Sequence, residues 1–378
     1  MRSASGLLFL ALSTGSWAHG QTSIWPGSRL PNYGALPSQA DDWKPILSAV
    51  QSALASNRPV QIIGELDGDR NYTFGSISAI EVSDDGRVRV IDRQALEIKA
   101  FDANGKFKST IGRGGGGPGE FRIPAEVQTD QNGDVHILDL RGGQLSVFRD
   151  GPNGPEFVRS LRTDSARAFC RIANEYFVLT PAGPNIVRRV GPNGLLSPGF
   201  GKPTGVGDAK AFGDEKMAAA SRRRQDQALM YCDASRDLIV LVHKETPLVR
   251  SFSRNGVPRW ETQLQAYRKG GVAPVQGRPG WFGESADPQS GTRHQAHAVF
   301  RVTDSVIAIS LIEDGVTRRS VPKYELRMIS LQNGRELARI STHQKVVGLT
   351  RTHVYTYADL PYPRIMVYAL PPSRATGQ

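Results

Sequence analysis

Positively charged side chains are the commonest groups in this sequence that could bind a ligand. The 378 residues include 47 Lys and Arg against 36 Asp and Glu, which gives a net charge of +11 at pH 7. The isoelectric point is near 9.8. A surplus of this size favours anionic ligands or an anionic surface. It does not by itself indicate nucleic acid, and we expect no nucleic-acid partner.

Two segments share part of the pattern of a ligand-binding loop. Residues 112–119, GRGGGGPG, are glycine-rich but lack the Gly-Lys-Ser/Thr ending of a phosphate-binding loop. Residues 130–134, DQNGD, open like a calcium-binding EF-hand, but the glycine is misplaced and Arg141 stands at the twelfth position. We therefore interpret the first segment as a flexible connection and the second as a turn.

Histidine could supply imidazole ligands to a metal, but its spacing here is weak evidence for a metal site. Among the seven histidines, His294 and His297 form the one pair at ligand spacing in a single predicted strand. A Ser-His-Asp arrangement cannot be chosen from spacing, because such triads converge in space and not in sequence.

An internal repeat indicates the framework that must position these groups. The same interval of 47 residues separates Gly86 from Gly133, Asp92 from Asp139, and Phe101 from Phe148. A period of this size, with three or four short strands per unit, is typical of a β-propeller blade.

Six repeats follow one another along the chain. The residues that end their second strands are Asp92, Asp139, Thr180, His243, Ser310 and Tyr357. Turns after the third strands carry Asn104-Gly105, Asn153-Gly154, Asn193-Gly194, Asn255-Gly256 and Asn333-Gly334. Asn-Gly predicts a type I′ hairpin turn, in which both residues have positive φ.

One repeat is similar to an NHL-type repeat. The similarity rests on Ile111-Gly112, Gly117-Pro118-Gly119-Glu120-Phe121, Pro124, Gly133, Val135-His136-Ile137-Leu138-Asp139 and Val147-Phe148. It is close over residues 74–150, whereas the remaining repeats keep the spacing but lack the GPGEF motif. The resemblance implies a six-bladed propeller of an exported bacterial type. Such propellers include binding scaffolds, protein-interaction modules, lyases and hydrolases, so the fold does not decide the function.

The two ends of the sequence predict how the ring of blades closes and where the protein is localised. Residues 1–18 have the charged start, short apolar core and small residues of a secretory signal peptide, which indicates a secreted or periplasmic protein. Residues 19–59 form a linker and a short helix, 60–372 the propeller and 373–378 a tail. Val60–Ile63 is an outer strand without inner strands before it, so it should complete the last repeat. We expect no membrane span.

Long insertions and cations are predicted to share one face. Residues 201–228, 263–296 and 311–322 interrupt connections that all emerge at one end of the blades, which marks a binding face. The candidate ligand-binding residues there are Arg93, Arg113, Arg141, His243, Lys244, Arg278, Trp281 and Arg318. Aspartates collect on the opposite face. Solvated loop charges that bind no ligand are the alternative.

Two cysteines, Cys170 and Cys232, lie near the ends of first strands in consecutive repeats. An exported protein can oxidise such a pair, provided that the Cα atoms lie within about 7 Å of each other. Two inert buried thiols are the alternative.

The function favoured by the sequence is that of a monomeric binding scaffold. Its basic loop face would engage a protein, a peptide or an anionic glycan, with no cofactor and no catalytic activity. The alternative is a metal-assisted hydrolase or lyase whose site lies at the mouth of the central channel. Resemblance to the lyase propellers implies an axial zinc or calcium ion, for which His243 and His297 are the candidate ligands.

Overall fold

The structure is a computed structural model. It describes residues 42–151, 154–181, 183–191, 198–204, 215–274, 282–285, 289–315 and 321–371. The sequence predictions that lie outside the described residues are the signal peptide at 1–18, the linker up to residue 41, the tail at 373–378, Asn153 of one predicted turn, the turn at Asn193-Gly194, and the site residues Arg278, Trp281 and Arg318.

The chain is a six-bladed β-propeller, as the repeat predicted. Helix α1 (Trp43–Ala55) and strand β1 (Gln61–Ile63) come first. Blade one contains β2 (Ile77–Val82), β3 (Val88–Asp92), β4 (Glu97–Phe101) and β5 (Phe107–Ile111), and the short strands β6 (Arg113–Gly114) and β7 (Glu120–Phe121) follow it. Blade two contains β8 (Pro124–Thr129), β9 (Val135–Asp139), β10 (Gln144–Gly151) and β11 (Gly154–Arg162). Blade three contains β12 (Ala168–Ile172), β13 (Glu175–Leu179) and β14 (Val187–Val190).

The second half of the chain repeats the pattern with longer connections. Helix α2 (Glu215–Gln225) precedes blade four, which contains β15 (Ala228–Asp233), β16 (Leu238–His243), β17 (Leu248–Phe252) and β18 (Pro258–Gln263). The hairpin of β19 (Gly271–Pro274) and β20 (Phe282–Ser285) follows. Blade five contains β21 (Thr292–Arg301), β22 (Val306–Gly315), β23 (Lys323–Ser330) and β24 (Glu336–Thr342), and blade six contains β25 (Lys345–Leu349), β26 (His353–Ala358) and β27 (Arg364–Ala369).

Second strands are buried along most of their length because each blade packs between two neighbours. In β16, all six residues of LIVLVH are buried, which explains why the run is continuously apolar instead of alternating. Between blades six and one, Val90 and Phe101 pack against Tyr355 and Ile365. Burial of these side chains between sheets is what holds the blades together.

Strand β1 closes the ring by pairing antiparallel with β27. In this register, Gln61 faces Val367, Ile62 faces Met366 and Ile63 faces Ile365. The innermost strands β2, β8, β12, β15, β21 and β25 contact one another in that order, and β25 returns to β2. The predicted closure is therefore confirmed.

Hairpin turns differ from the sequence prediction in their backbone geometry. Gly105 and Gly256 have φ of 64° and 79°, but Asn104 and Asn255 are not among the described residues with positive φ. The prediction of type I′ turns was therefore wrong at these positions. Each strand pair also shifts register next to its turn. Three-residue loops of this kind combine a type I turn with a glycine bulge, so glycine alone must adopt the left-handed conformation.

Helix α1 packs on the outside of the last two blades. Its buried residues Leu47, Val50, Ala53 and Leu54 join a hydrophobic cluster that includes Tyr368. The predicted short N-terminal helix is confirmed. Within the described part of the chain, neither helix has the length and apolar character needed to cross a membrane.

Ring closure can be tested at two adjacent positions of β1. Ile63 is 1% exposed and Ile62 is 48% exposed. Ile63→Ala should lower the free energy of unfolding by about 2–5 kcal/mol, because it leaves a cavity against Ile365. The matched Ile62→Ala should lower it by about 0.5 kcal/mol or less. Urea unfolding of both variants measures the difference, and equal losses would show that β1 does not seal the ring.

Candidate functional site

Strand topology sorts the loops onto two ends of the propeller. In an antiparallel blade, the turn between the second and third strands lies at the same end as the connection to the next blade. We call this end the crossover face; in the first two blades it comprises residues 93–96, 112–123 and 140–143. Arg93 and Arg141 both belong to it.

Two repeated aspartates hold the crossover face in shape. In blade two, Asp139 Oδ2 accepts the backbone N–H of Arg122 at 2.8 Å, and Oδ1 accepts those of Ile123 at 2.8 Å and Arg141 at 3.1 Å. In blade one, Asp92 binds the backbone of residues 75 and 76 and of residues 94 and 95 in the same way. One buried carboxylate therefore ties each incoming connection to the turn that carries an arginine.

His243 takes the place of this aspartate in blade four. It is 1% exposed, and its Nδ1 donates to the carbonyl oxygen of Gln225 at 3.1 Å. Burial lowers the pKa of His243 to about 4, so the ring is neutral at ordinary pH. The nearby Asp226 accepts the backbone N–H and the hydroxyl of Thr204, both at 2.7 Å. His243 thus fastens the end of α2 to the blade. It lines neither the central channel nor the cavity beside Arg93 and Arg141.

Three arginines line one cleft on the crossover face. Arg93, Arg141 and Arg167 come from blades one, two and three, and they surround a cavity of about 390 Å³. The remaining lining is small or apolar: Ser78, Ile123, Pro124, Ala125 and Leu140. All three arginines are exposed, and their guanidiniums form no ion pair with the described residues. We call this cavity the arginine cleft.

The arginine cleft opens into the central channel. The channel has a volume of about 960 Å³ and is lined by the innermost strands of all six blades. Ser78, Ala125 and Arg167 line both cavities, so the two adjoin along these residues. Lys244 and Lys345 also face the channel. Both are at the crossover end, because Lys244 follows β16 and Lys345 begins β25.

A half-buried carboxyl group lies among these cations. Glu126 on β8 accepts the backbone N–H of Phe169 at 3.0 Å and the Nε2–H of Gln128 at 3.1 Å. Burial raises the pKa of Glu126 to about 7, although these hydrogen bonds and the charge of Lys244 oppose the rise. Burial likewise lowers the pKa of Lys244, and the charge of Glu126 opposes that change. Glu126 and Lys244 therefore interact across the channel from blades two and four.

Cations at the other end of the channel are already paired. There, Arg171 pairs with Asp130, Arg236 with Asp233, and Arg301 with Asp84 and Asp304. Three of the aspartates on this face, Asp84, Asp130 and Asp304, are thus bound to neighbouring arginines. Among the described residues that line the channel, the cations without an ion-pair partner lie at the crossover end.

The other predicted site residues have separate surroundings. Arg113 donates to Glu120 at 2.9 Å and so belongs to the glycine-rich connection itself. Sequence reasoning missed Arg167, Lys345 and Glu126. Arg167 immediately precedes β12 and Lys345 begins β25, so their position relative to the first strands could have identified both. Glu126 carries no sequence signal, because its neighbours come from other blades.

Three potential metal ligands meet in blade five, and arginines already pair with the two carboxylates among them. Atoms of His294, Glu313 and Glu325 lie within 4.8 Å of one another. His294 Nδ1 accepts the backbone N–H of Arg268 at 2.8 Å, so the proton of the neutral ring is on Nε2, the atom nearer the carboxylates. Arg268 pairs with Glu313, and Arg327 pairs with Glu325 at 3.0 Å. The geometry favours a buried ion network over a metal centre.

His243 and His297 do not belong to that group of ligands. His297 faces the channel, and its Nε2 donates to the carbonyl oxygen of Val346 at 3.2 Å. Burial lowers the pKa of His297 well below its ordinary value. Each histidine keeps one buried ring nitrogen without a hydrogen-bond partner among the described residues, which is the lone pair that a metal would need. An axial zinc or calcium ion at these residues stays a prediction.

Cys170 on β12 and Cys232 on β15 form a disulfide bond, with their Cα atoms 5.6 Å apart. The bond joins the innermost strands of blades three and four. It therefore links two walls of the channel covalently.

Comparison with known proteins agrees with the fold. Residues 65–178 match the model of DUF5128, a family described as a 6-bladed beta-propeller. A putative exported protein from Bacteroides fragilis NCTC 9343 has a similar structure, with a TM-score of 0.52 and 8% identity over 81% of this chain and 93% of that chain. A member of the DUF4221 family from Bacteroides vulgatus gives 0.51 and 8% over 82% and 96%.

A third similar structure is virginiamycin B lyase from Staphylococcus aureus, with a TM-score of 0.46 and 10% identity over 82% of this chain and 99% of that chain. Identities this low show the fold alone. None of the curated proteins matches the chain.

Glu126 should make the stability of the protein depend on pH. Its pKa is about 7 in the folded chain against 4.5 ordinarily, so the folded state holds the proton more tightly. Its contribution to stability is therefore greatest below about pH 4.5 and is lost as the pH rises to about 7. Glu126→Gln should flatten this part of the profile, measured by urea unfolding at about pH 5 and pH 8. The exposed Glu156→Gln is the control; an unchanged profile in Glu126→Gln would contradict the assignment.

Proposed function

We propose that this six-bladed β-propeller is an exported binding scaffold that captures an anionic ligand in the arginine cleft of its crossover face. The main support is that Arg93, Arg141 and Arg167 line one cavity, and that none of the three has an ion-pair partner among the described residues. A protein, a peptide or an anionic glycan could supply the anionic group.

Unpaired guanidiniums around a concave surface favour ligand binding over simple solvated charge. Each guanidinium presents a rigid fork of donors that matches a carboxylate, sulfate or phosphate group. Mutual repulsion among three of them is relieved when an anion binds. At the opposite end of the channel, by contrast, arginines are neutralised by aspartates, so no comparable driving force remains there.

Rigidity of the supporting turns adds to this argument. The turn that carries Arg93 is fixed by Asp92, and the turn that carries Arg141 by Asp139. A ligand that binds there meets a backbone already held in place, so less conformational entropy is lost on binding.

The metal-assisted hydrolase or lyase remains the alternative. It would use the channel mouth, where His297 lines the channel and could ligate a metal, whereas His243 lies outside the channel. Glu126 is a carboxyl whose pKa suits proton transfer near neutral pH. Stoichiometric zinc or calcium in the purified protein would favour this alternative over a scaffold.

Export is supported by the disulfide bond, because such bonds persist in oxidising compartments. If residues 1–18 are a cleaved signal peptide, the mature chain should begin at His19. N-terminal sequencing of the protein recovered from its native host tests this. A mature chain that still begins at Met1 would contradict the proposed signal.

Removal of two cleft arginines should weaken binding to anions. The double variant Arg93→Ser/Arg141→Ser should elute from a heparin column at lower salt than the wild type. Its affinity for an anionic ligand should fall roughly ten-fold or more, because two charge-assisted contacts are lost. Isothermal titration measures the affinity.

A matched variant on the opposite face separates this effect from net charge. Lys106→Ser/Arg335→Ser removes the same two positive charges from exposed positions on the turns between third and fourth strands. It should elute close to the wild type. Equal shifts in both double variants would show that the arginine cleft has no special role.

A further inference from the structure

The arginine cleft adjoins the channel. Ser78, Ala125 and Arg167 line both cavities, and the channel is more than twice as large at about 960 Å³ against about 390 Å³. Ser78 and Ala125 are small and uncharged, so their side chains occupy little space at the boundary between the two cavities. A ligand whose anionic group is bound by Arg93 and Arg141 can therefore extend inward.

Two lysines line the channel at its crossover end. The ammonium groups of Lys244 and Lys345 face the channel and make no hydrogen bond or ion pair with the described residues. Lys345 Nζ lies 4.9 Å from the centre of the Tyr357 ring, which offers a cation–π contact but no acceptor oxygen. Burial lowers the pKa of both lysines, which shows that their charged forms are poorly solvated. An anion would supply the missing stabilisation.

The backbone of Lys244 is held firmly while its side chain remains available. Its N–H donates to Gln227 at 2.8 Å, and its carbonyl oxygen accepts the hydroxyl of Tyr267 and the N–H of Ala296, both at 2.8 Å. These contacts join blade four to the connections on either side of it. The position of the ammonium group is thus set by a rigid support, as a binding site requires.

Carboxylates in the channel do not cancel these charges. Glu81 is engaged by the N–H and hydroxyl of Thr129 at 2.6 and 2.9 Å, and by Arg89 at 3.1 Å. Glu126 and Glu245 both act on Lys244, but Glu245 already pairs with Arg224, and Glu126 is half neutral near pH 7. Asp359 acts on Lys345 and accepts the hydroxyl of Tyr357. The crossover end of the channel is therefore positive whenever Glu126 is protonated.

We propose that Lys244 and Lys345 form a second anion subsite within the channel. The ligand of this protein is then an elongated molecule with two anionic groups joined by a neutral stretch. One group binds Arg93, Arg141 and Arg167 in the cleft, and the other enters the channel to meet the lysines. This inference rests on the proposed function, because the cleft arginines must hold the first group.

A homologous series of small anions tests the second subsite. Isothermal titration of the full-length protein would compare linear dicarboxylates of increasing length with monocarboxylates of the same length. At the length that spans the two subsites, the dicarboxylate should bind at least about ten-fold more tightly than its monocarboxylate, as expected for a second desolvated charge pair. If no dicarboxylate in the series exceeds its monocarboxylate, the second subsite is wrong.

Substitutions of the two lysines test whether they cause the tighter binding of the dicarboxylate. Lys244→Met and Lys345→Met should each reduce the advantage of the dicarboxylate while changing monocarboxylate affinity by less than about two-fold. Lys244→Arg keeps the charge and should retain most of the advantage. Lys106→Ser, which removes a distant charge, should behave like the wild type. A dicarboxylate advantage that survives both lysine-to-methionine variants would overturn the proposal.

A pH dependence provides a second readout. The charged and titratable groups that line the channel with Glu126 include Glu81, Arg167, Lys244, His297, Lys345 and Tyr357, together with the paired arginines and aspartates of the opposite end. Arg171 is paired with Asp130, and His297 is neutral because burial lowers its pKa. Ionisation of Glu126 as the pH rises through about 7 therefore neutralises Lys244 and should weaken dicarboxylate binding. Glu126→Gln should keep the strong binding at high pH; an unchanged pH dependence would contradict this role.

Failure of the subsite can be distinguished from failure of the proposed function. Arg93→Ser/Arg141→Ser should weaken monocarboxylates and dicarboxylates alike, because both use the cleft. If that variant loses affinity but dicarboxylates have no advantage over monocarboxylates in the wild type, anion binding in the cleft is supported and the channel subsite is wrong. If that variant binds both series as the wild type does, the proposed function is wrong, and so is the second subsite that depends on it.

Discussion

The structure depends on a pairing of three residues at the start of the propeller with the last strand of the chain. Strand β1 supplies the outer edge of blade six, and Ile63 becomes buried against the strands of blades six and one. Without this contact β27 would expose its hydrogen-bonding groups, and the first and last blades would be free to separate. Closure is also what turns six separate innermost strands into the wall of a single channel. The cleft, the channel and their charges all follow from that constraint.

The strand topology determines at which end of the channel each charged residue lies. Ion pairing with aspartates then determines which arginines remain available to a ligand. Both ends of the channel contain arginines. At one end the turns between first and second strands also carry aspartates, so Arg171 and Arg236 are neutralised by close neighbours. At the crossover end the turn uses its aspartate, as in Asp92 and Asp139, to bind backbone N–H groups. That carboxylate is therefore not available to Arg141, which remains free to bind a ligand.

Much of this arrangement could be predicted from the sequence. The 47-residue spacing of Asp92 and Asp139 reflects a hydrogen-bonding role that each blade needs again, so the architecture, the closure and the face of Arg93 and Arg141 were all predictable. The turn geometry was not. Asn-Gly pairs are consistent with two hairpin types, and the bulge next to Gly105 selects the one in which glycine alone has positive φ.

The sequence by itself determined the repeat, the strand order and the end of each blade at which a loop emerges, because these depend on local spacing and hydrogen bonding. Only the tertiary structure decided which side chains meet. Arg167 joins Arg93 and Arg141, and Glu126 meets Lys244, because first strands and crossover-face turns from different blades converge on one axis. The disulfide between strands β12 and β15 is settled by the same convergence. No local pattern encodes such contacts, since they depend on how the whole ring closes.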